Sequence, residues 1–405
     1  MENFLRELPD RQTLLQWIRE EVNNDIPEVN AHIHTPYSFS SFDDMRQAFL
    51  MAQKEQIKLL GINDFNTTGG YDEFHALSRE FKVFPLFNIE LIGLMEEEQS
   101  KGIRINDPIN PGRIYLSGKG LDFPVNTENE LFDKVDEVIE KGHDQVRTMI
   151  NKLNQHLLVL DRGMQLDFRE IQSNYARYMV RERHIAMALR LLIFDRFKTP
   201  GQRKAFLHQL YQQDAMADIT SNAAIENEIR NRLLKAGGIA FVEEDPGTFL
   251  SLDEMVRIIT GAGGIPCYPV LLDDKKGDYT EFESDPDALH RKLTDMNISC
   301  VELIPGRNDY WILKRYISFF SSKGFVILLG TEHNTPSAGP LKITARGGVP
   351  LDDEIRETAW KGACVVAAHQ YLRARGEGEG FVSGSGTEKG SLEELGKAVI
   401  RKFIR

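Results

Sequence analysis

Short apolar segments alternate with amphipathic helical segments in two parts of the chain, and this alternation constrains the fold most strongly. The first part contains the strand-like runs VNAHIH, IKLLGIND and KVFPLFNIEL. The second part contains GGIPCYPVLL, ISCVELIPG and FVILLGTEHN. Loops or helical patterns follow these runs, and a repeated order of strand, loop and helix is typical of parallel βα units. The sequence therefore predicts the α/β class.

Nearly every segment between these two parts has helical periodicity. We therefore expect a helical block inserted into one βα array, and it has two interpretations, a lid over the substrate pocket or an arm for homo-oligomer formation. The predicted organisation is an N-terminal helix at 1–25, a first βα part at 26–125, a helical insertion at 126–235, a second βα part at 236–348, and C-terminal helices with a Gly-rich linker at 349–405.

The composition of the chain indicates its cellular compartment and which kinds of partner are disfavoured. The 405 residues carry a net charge of −12, which disfavours nucleic acids and anionic membranes as partners. No stretch approaches the roughly 20 consecutive apolar residues of a membrane span. Cys267, Cys300 and Cys364 are far apart and form no CxxC motif, which argues against a disulfide framework. We expect a cytoplasmic protein without a membrane partner.

His32 and His34 are two residues apart at the end of a predicted strand. Side chains at i and i+2 of a strand point to the same face, so both imidazoles can converge on one point. Imidazole is the commonest metal ligand near neutral pH. The pair by itself also fits two polar histidines at a strand end, without any metal.

Other strand-like runs also end in ligand-type residues. These are Asp64, Glu90, Glu302, Glu332 and His333. In parallel α/β barrels the carboxyl ends of the strands meet on one face, where active sites lie. Acidic residues at such positions can instead cap the next helix, which is the alternative for Asp64. Glu90 follows an apolar strand and precedes Leu-Ile-Gly, where a carboxylate is unfavourable unless it is paired or metal-bound.

The order of segments resembles that of the PHP (polymerase and histidinol phosphatase) superfamily. The motifs that carry this resemblance are AHIHTPYS, GINDFNT, FNIELIG, RIYLSGKG, GGIPCYP, CVELIPG and LLGTEHN, over about residues 28–340. The resemblance implies a distorted seven-stranded (β/α) TIM-like barrel with clustered metal ions. It also implies phosphoester hydrolysis as the usual chemistry of the family.

The resemblance assigns one metal to His32, His34, Glu90 and Glu332, with glutamate in place of the usual aspartate at the last position. An alignment shifted by one residue there would instead bring His333 into the site. The positions for the other metals differ from the family pattern. They hold Phe39, Phe65, Tyr115, Tyr268 and Asn334, where the family has aspartate or histidine.

These substitutions reduce the expected metal cluster to one ion per chain. Phenylalanine cannot bind a metal, and neutral tyrosine is a poor ligand beside imidazole. Two nitrogen and two oxygen ligands suit zinc, manganese or iron(II). We therefore expect one divalent metal ion, Zn, Mn or Fe.

The function predicted from this site is a metal-dependent, phosphoesterase-like hydrolase of a small anionic substrate. Asp64 is the predicted general base. Arg307 and Lys119 are predicted phosphate contacts, with exposed loop cations as the alternative. The other predicted substrate contacts are Tyr115, Tyr268 and His333, although both tyrosines could instead pack into the mouth of the barrel. Two alternatives stay open at this point, a non-catalytic binding or regulatory protein on the same barrel and a single-metal lyase or isomerase.

Overall fold

A single seven-stranded sheet forms the framework of the protein. The computed structural model describes residues 3–21, 25–128, 130–274, 276–334, 339–382 and 389–405. The strands of the sheet are Glu28–Ile33 (β1), Ile57–Phe65 (β2), Phe84–Leu94 (β3), Arg113–Lys119 (β4), Ile265–Val270 (β5), Cys300–Leu303 (β6) and Val326–Leu329 (β7). A separate small ladder pairs Thr344–Ala345 (β8) with Val349–Pro350 (β9).

The seven strands are neighbours in chain order, from β1 to β7. All neighbouring pairs are parallel except those of β4, which runs antiparallel to both β3 and β5. Strand β3 is buried along almost its whole length, as expected for a strand covered on both faces. The predicted α/β barrel fold is confirmed as a nearly closed, barrel-shaped sheet with surrounding helices, while β4 departs from the expected parallel array.

Backbone hydrogen bonds between β1 and the segment after β7 close the sheet. The amide of His34 donates to the carbonyl oxygen of Glu332 at 2.7 Å, and the amide of Glu332 donates to the carbonyl oxygen of His32 at 3.0 Å. Ile33 and Glu332 form a parallel bridge at the same place. This closure puts the first and the last predicted ligand segments side by side.

Helices account for most of the remaining described residues. In chain order they are Arg11–Glu20 (α1), Met45–Lys54 (α2), Tyr71–Phe81 (α3), Glu96–Ser100 (α4), Glu130–Leu160 (α5), Phe168–Tyr175 (α6), Glu182–Arg196 (α7), Pro200–Tyr211 (α8), Asn222–Ile229 (α9), Leu252–Gly261 (α10), Pro286–Asp295 (α11), Tyr310–Ser322 (α12), Asp353–Arg375 (α13) and Lys389–Phe403 (α14). Within the described parts of the chain, no helix combines the length and the apolar composition that a membrane crossing requires.

Side chains fix where the barrel helices begin. The carboxylate of Asp44 accepts a hydrogen bond from the amide of Gln47 at the start of α2. Ser251 and Glu254 form a reciprocal capping box at the start of α10, which satisfies amides that have no partner within the helix. Each cap stands at the end of a loop, so the sequence defines both the loop and the helix that follows it.

The chain divides into two compact units. The first comprises 1–133 and 250–405 and contains the barrel, and the second comprises 134–249. The second unit is helical, whereas the helical insertion is predicted at 126–235. Its core is formed by buried aliphatic side chains of several helices, among them Leu153, Leu157, Ile185, Leu189, Ile193, Leu207, Ile225 and Ile229. Part of the predicted Gly-rich linker, residues 383–388, lies outside the described residues.

Two glycines allow the C-terminal helices to pack closely, α13 on the barrel strand β7 and α14 on α13. A Cβ atom added to Gly362 of α13 would overlap the carbonyl oxygen of Ile327 in β7. A Cβ atom added to Gly396 of α14 would overlap the carbonyl oxygen of Cys364 in α13. Any side chain at these positions would therefore force the two neighbouring backbones apart.

We expect Gly396→Ala to lower the free energy of unfolding by about 1–3 kcal/mol, because overpacking forces backbone shifts. Gly390→Ala is the matched control in the same helix, since a Cβ at Gly390 meets nothing within 4 Å. The control should be neutral or slightly stabilising, because alanine has the higher helix propensity. Urea unfolding followed by circular dichroism measures both, and equal midpoints for the two variants would contradict the close packing of α14.

Candidate metal centre

Three ligand-type side chains meet where β1 ends and where β3 passes the end of β2, since Glu90 is opposite Phe65, the last residue of β2. The Nε2 atoms of His32 and His34 are 3.2 Å apart. Oε2 of Glu90 lies 3.2 Å from Nε2 of His34 and 3.9 Å from Nε2 of His32. Tetrahedral coordination with bonds of about 2.1 Å places ligand atoms about 3.4 Å apart. The three residues, whose ligand atoms all lie within 4.8 Å of one another, therefore fit a single metal ion.

The protonation chemistry of this group also favours a metal. Burial raises the pKa of Glu90 to about 8, although His32 acts in the opposite direction. Oε2 of Glu90 is buried and accepts no hydrogen bond from the residues that the structure describes. Burial and the neighbouring His32 lower the pKa of His34 well below its usual value, so its imidazole is neutral. A neutral imidazole offers a lone pair, and a cation would satisfy the unpaired carboxylate.

A buried carboxylate lies behind His32. Oε2 of Glu302 is 2.9 Å from Nδ1 of His32 and 2.6 Å from Nζ of Lys119, and Ser117 donates to Oε1. Burial acts to raise the pKa of Glu302, but Lys119 and His32 outweigh it and hold that pKa well below its usual range. Lys119 also donates to Oδ1 of Asn63 at 3.0 Å. These contacts favour a role for Lys119 as the charge partner of Glu302 over its predicted role as a phosphate contact.

Asp64 is surrounded by hydrogen-bond donors. It accepts bonds from the amide of Thr35 at 2.7 Å, from the Thr35 hydroxyl at 2.5 Å and from the Ser38 hydroxyl at 2.6 Å. Burial raises the pKa of Asp64 to about 6 in spite of these donors. Helix α3 begins at Tyr71 with Gly70 before it, so Asp64 caps no helix there. The Ser38 hydroxyl lies 3.3 Å from Nδ1 of His34 and connects that ring to Asp64. The predicted role of Asp64 as general base stays a prediction.

Glu332 lies beside the three-residue group without being part of it. Its side chain forms an ion pair with Arg307 and accepts a hydrogen bond from Asn334 at 2.8 Å. Its backbone has a φ of +63°, a left-handed conformation that non-glycine residues adopt rarely. The Arg307 side chain is 44% exposed, which leaves its guanidinium accessible from solvent. The predicted ligand Glu332 and the predicted anion contact Arg307 are thus partners of each other.

Aromatic side chains occupy several positions at which the sequence resemblance leads to an expectation of metal ligands. The Phe65 ring stacks on the His34 ring with centroids 4.4 Å apart, and the Tyr115 ring lies 6.0 Å from Phe65. Tyr268 is fully buried, and its hydroxyl donates to Glu283 at 2.9 Å. Tyr115 is half-buried, so it is better placed than Tyr268 for the predicted substrate contact.

Two further residues named from the sequence are His333 and Phe39. Both ring nitrogens of His333 have partners, Nδ1 with the hydroxyl of Thr331 at 2.7 Å and Nε2 with the carbonyl oxygen of Gly339 at 2.9 Å. Its ring stacks on Phe42 with centroids 5.0 Å apart. Phe39 is buried. The predicted role of His333 in substrate binding would require it to give up one of these hydrogen bonds.

The sequence identified Glu302 only as one of several ligand-type residues, and it gave no role to Asn63 or Ser117. Glu302 interrupts the apolar segment CVEL, and a carboxylate inside a buried strand is a signal that it has a partner. Asn63 immediately precedes Asp64, and its amide nitrogen lies 3.1 Å from Nε2 of His32. The sequence offers no comparable signal for Ser117.

Comparisons with known proteins support the fold. No family model and no curated protein matches the chain. Among solved structures, one similar chain is a proposed metal-dependent phosphoesterase from Bifidobacterium adolescentis, with a TM-score of 0.51, 15% identity, and coverage of 83% of this chain and 96% of that chain. Another is an amidohydrolase from Chromobacterium violaceum with bound sulfate and no metal, with a TM-score of 0.50, 14% identity, and coverage of 82% and 96%. At these identities the likeness shows a shared barrel fold.

The raised pKa of Glu90 has a consequence for the metal-free protein. The unfolded chain loses this proton near pH 4.5 and the folded chain near pH 8, so the folded state binds more protons between these values. Stability should therefore fall as pH rises through this window. We expect Glu90→Gln to remove that contribution and, at pH 8.5, to be more stable than the parent by about 1–3 kcal/mol, because an unpaired buried carboxylate is lost.

Urea unfolding of chelator-treated protein between pH 4.5 and 8.5 measures this effect. Glu96→Gln is a suitable control, because Glu96 is exposed at the start of α4. Parallel pH profiles for Glu90→Gln and the parent would show that the Glu90 carboxyl does not titrate as described.

Proposed function

We propose that the chain is a metal-dependent hydrolase of the PHP type that acts on a small anionic substrate, most simply a phosphoester. The observation that carries this proposal is the convergence of His32, His34 and Glu90, with an unpaired buried carboxylate oxygen among them. The barrel fold, the motif order and the activities named for the two similar structures support it.

In this proposal His32, His34 and Glu90 hold one zinc, manganese or iron(II) ion, and Glu332 is the fourth ligand. The bound ion would supply Lewis acidity for activating water or polarising a substrate oxygen. Glu332 would have to turn away from Arg307 to reach the same point. Phe65, which stacks on His34, restricts the rotation of that ring and holds its Nε2 toward the group.

Arg307 is the proposed anion-binding residue. It follows β6 in a short helical turn, Pro305–Arg307, and its accessible guanidinium can form two parallel hydrogen bonds with a phosphate. Because Arg307 pairs with Glu332, an anionic substrate group would compete for the guanidinium. The substrate would thereby release the Glu332 carboxylate toward the other ligands.

A second candidate function is a binding or regulatory protein that has kept the barrel without turnover. The observation that favours it is the filling of the site by Phe65 and Tyr115, since phosphoester hydrolysis commonly uses two metal ions on either side of the scissile bond. A single-metal lyase or isomerase would fit the same site. Turnover of phosphoesters distinguishes the hydrolase from both.

We expect the purified protein to contain about one transition metal per chain, and His32→Ala and Glu90→Ala to lose it. Phosphomonoester turnover with added Zn²⁺, Mn²⁺ or Fe²⁺ should be abolished in Glu90→Gln and unchanged in Glu96→Gln, because only Glu90 faces the group. Elemental analysis and single-substrate kinetics measure both. Metal bound without turnover would favour the binding protein, and two or three ions per chain would overturn the single-metal site.

We expect Arg307→Gln to raise KM for an anionic substrate by about 10- to 100-fold, since a hydrogen bond to a charged group contributes about 1.5–3 kcal/mol. Arg291→Gln, at an exposed position on α11, is the matched control. Steady-state kinetics at fixed metal concentration measure the effect. An unchanged KM in Arg307→Gln would remove Arg307 from the proposed substrate site.

A further inference from the structure

Lys119 is a lysine with a fully buried side chain, in the middle of the barrel unit. Lysine is almost never fully buried unless its charge is paired. Here the ammonium group lies 2.6 Å from Oε2 of Glu302 and donates to Oδ1 of Asn63 at 3.0 Å. Both partners are themselves fully buried. The charge of this lysine is therefore paired inside the barrel and not with solvent.

The antiparallel direction of β4 explains how a lysine reaches this place. Ser117 is opposite Glu90 of β3, and Gly118 is opposite Ile89. Lys119 is thus two residues beyond the partner of Glu90, in the direction of the amino end of β3. In a parallel strand the same residue would lie closer to the open end.

The partners of Lys119 converge on His32. The same Glu302 oxygen that binds Lys119 lies 2.9 Å from Nδ1 of His32. Since that carboxylate oxygen can only accept, the ring hydrogen belongs on Nδ1. In the neutral ring this leaves a lone pair on Nε2, which lies 3.2 Å from Nε2 of His34 and 3.9 Å from Oε2 of Glu90. Lys119 also fixes the amide of Asn63, because donation to Oδ1 turns Nδ2 toward the His32 ring at 3.1 Å.

We propose that Lys119 and Glu302 form a positioning pair, which holds His32 as an Nδ1–H tautomer with Nε2 aimed at the metal. This inference rests on the metal site proposed above. Glu302 orients the ring, and Lys119 offsets the charge of a second carboxylate that the site would otherwise bury beside Glu90. Partners of metal-binding histidines commonly act in this way.

The alternative is a buried ion pair that stabilises the barrel without affecting the metal. Two double variants separate the possibilities, because each removes both charges and so leaves no unpaired ion in the interior. In Lys119→Met/Glu302→Gln the amide oxygen can still accept from Nδ1 of His32. In Lys119→Met/Glu302→Leu that acceptor is gone, while the volume is similar.

We expect Zn²⁺ affinity, measured by chelator competition, to fall about 10- to 100-fold in Lys119→Met/Glu302→Leu. The Zn²⁺ affinity of Lys119→Met/Glu302→Gln should fall by less than that of Lys119→Met/Glu302→Leu. Glu283→Gln is the matched control, because Glu283 is equally buried and binds Tyr268 elsewhere in the unit; its affinity should match the parent. Parental affinity in a folded Lys119→Met/Glu302→Leu variant would overturn the proposal.

A second measurement does not depend on the metal or on the double variants, and it needs His32→Ala only to assign one signal. Long-range ¹H–¹⁵N spectra of the metal-free parent, with ¹⁵N-labelled histidine, report the tautomer of each ring. At a pH where that ring is neutral, the signal absent in His32→Ala should show hydrogen on Nδ1, and hydrogen on Nε2 alone would overturn the positioning pair. Absence of Zn²⁺ binding by the parent would instead overturn the proposed function, and the tautomer would still test the pair.

Discussion

The closure of the sheet between β1 and residues 331–332 is the constraint on which the candidate site depends. His32 donates no side-chain bond to this closure, yet its carbonyl oxygen accepts from both Thr331 and Glu332. Those bonds bring the last strand-end segment next to the first one. Without them the Glu332 carboxylate and the histidine pair would lie at opposite edges of an open sheet. The strand ends of a closed parallel sheet meet at one end of the barrel, and in this protein several carboxylates lie close together there.

Carboxylates so close together are unfavourable in a buried site unless each has a partner. The barrel gives each of them a different one. Glu302 has Lys119 and His32, Asp64 has Thr35 and Ser38, and Glu332 has Arg307. Glu90 differs from the others, because its Oε2 has no hydrogen-bond donor among the described residues. The most economical partner for that oxygen is a cation shared with the two imidazoles. In the proposed site that cation, rather than a further side chain, balances the charge of Glu90.

Much of this arrangement was predictable from the sequence. Apolar runs alternating with helical patterns predicted the α/β class, and the resemblance to the PHP superfamily implied the barrel. The spacing of His32 and His34 predicted two imidazoles on one face. The direction of β4 was not predictable, because the alternation of strand and helix says nothing about which strand reverses. The burial of Lys119 follows from that reversal and was missed with it. Tyr268 was expected at the mouth, but the Glu283 carboxylate that accepts its hydroxyl is fifteen positions away in sequence, and such long-range pairing leaves no local pattern.

The substitutions that distinguish this chain from the PHP pattern act together. Phe65 lies where that pattern has a ligand, and its ring stacks on the His34 ring. In the proposed single-metal site the same ring therefore occupies one metal position and restrains a ligand of the remaining metal. Lys119 adds a positive charge in the barrel interior, 2.6 Å from a Glu302 carboxylate oxygen. A site with one ion, as proposed above, would have less positive charge to offset its carboxylates than a site with several ions. In that proposal the buried lysine supplies part of the difference, so the single-metal site and the buried ion pair belong to one charge balance.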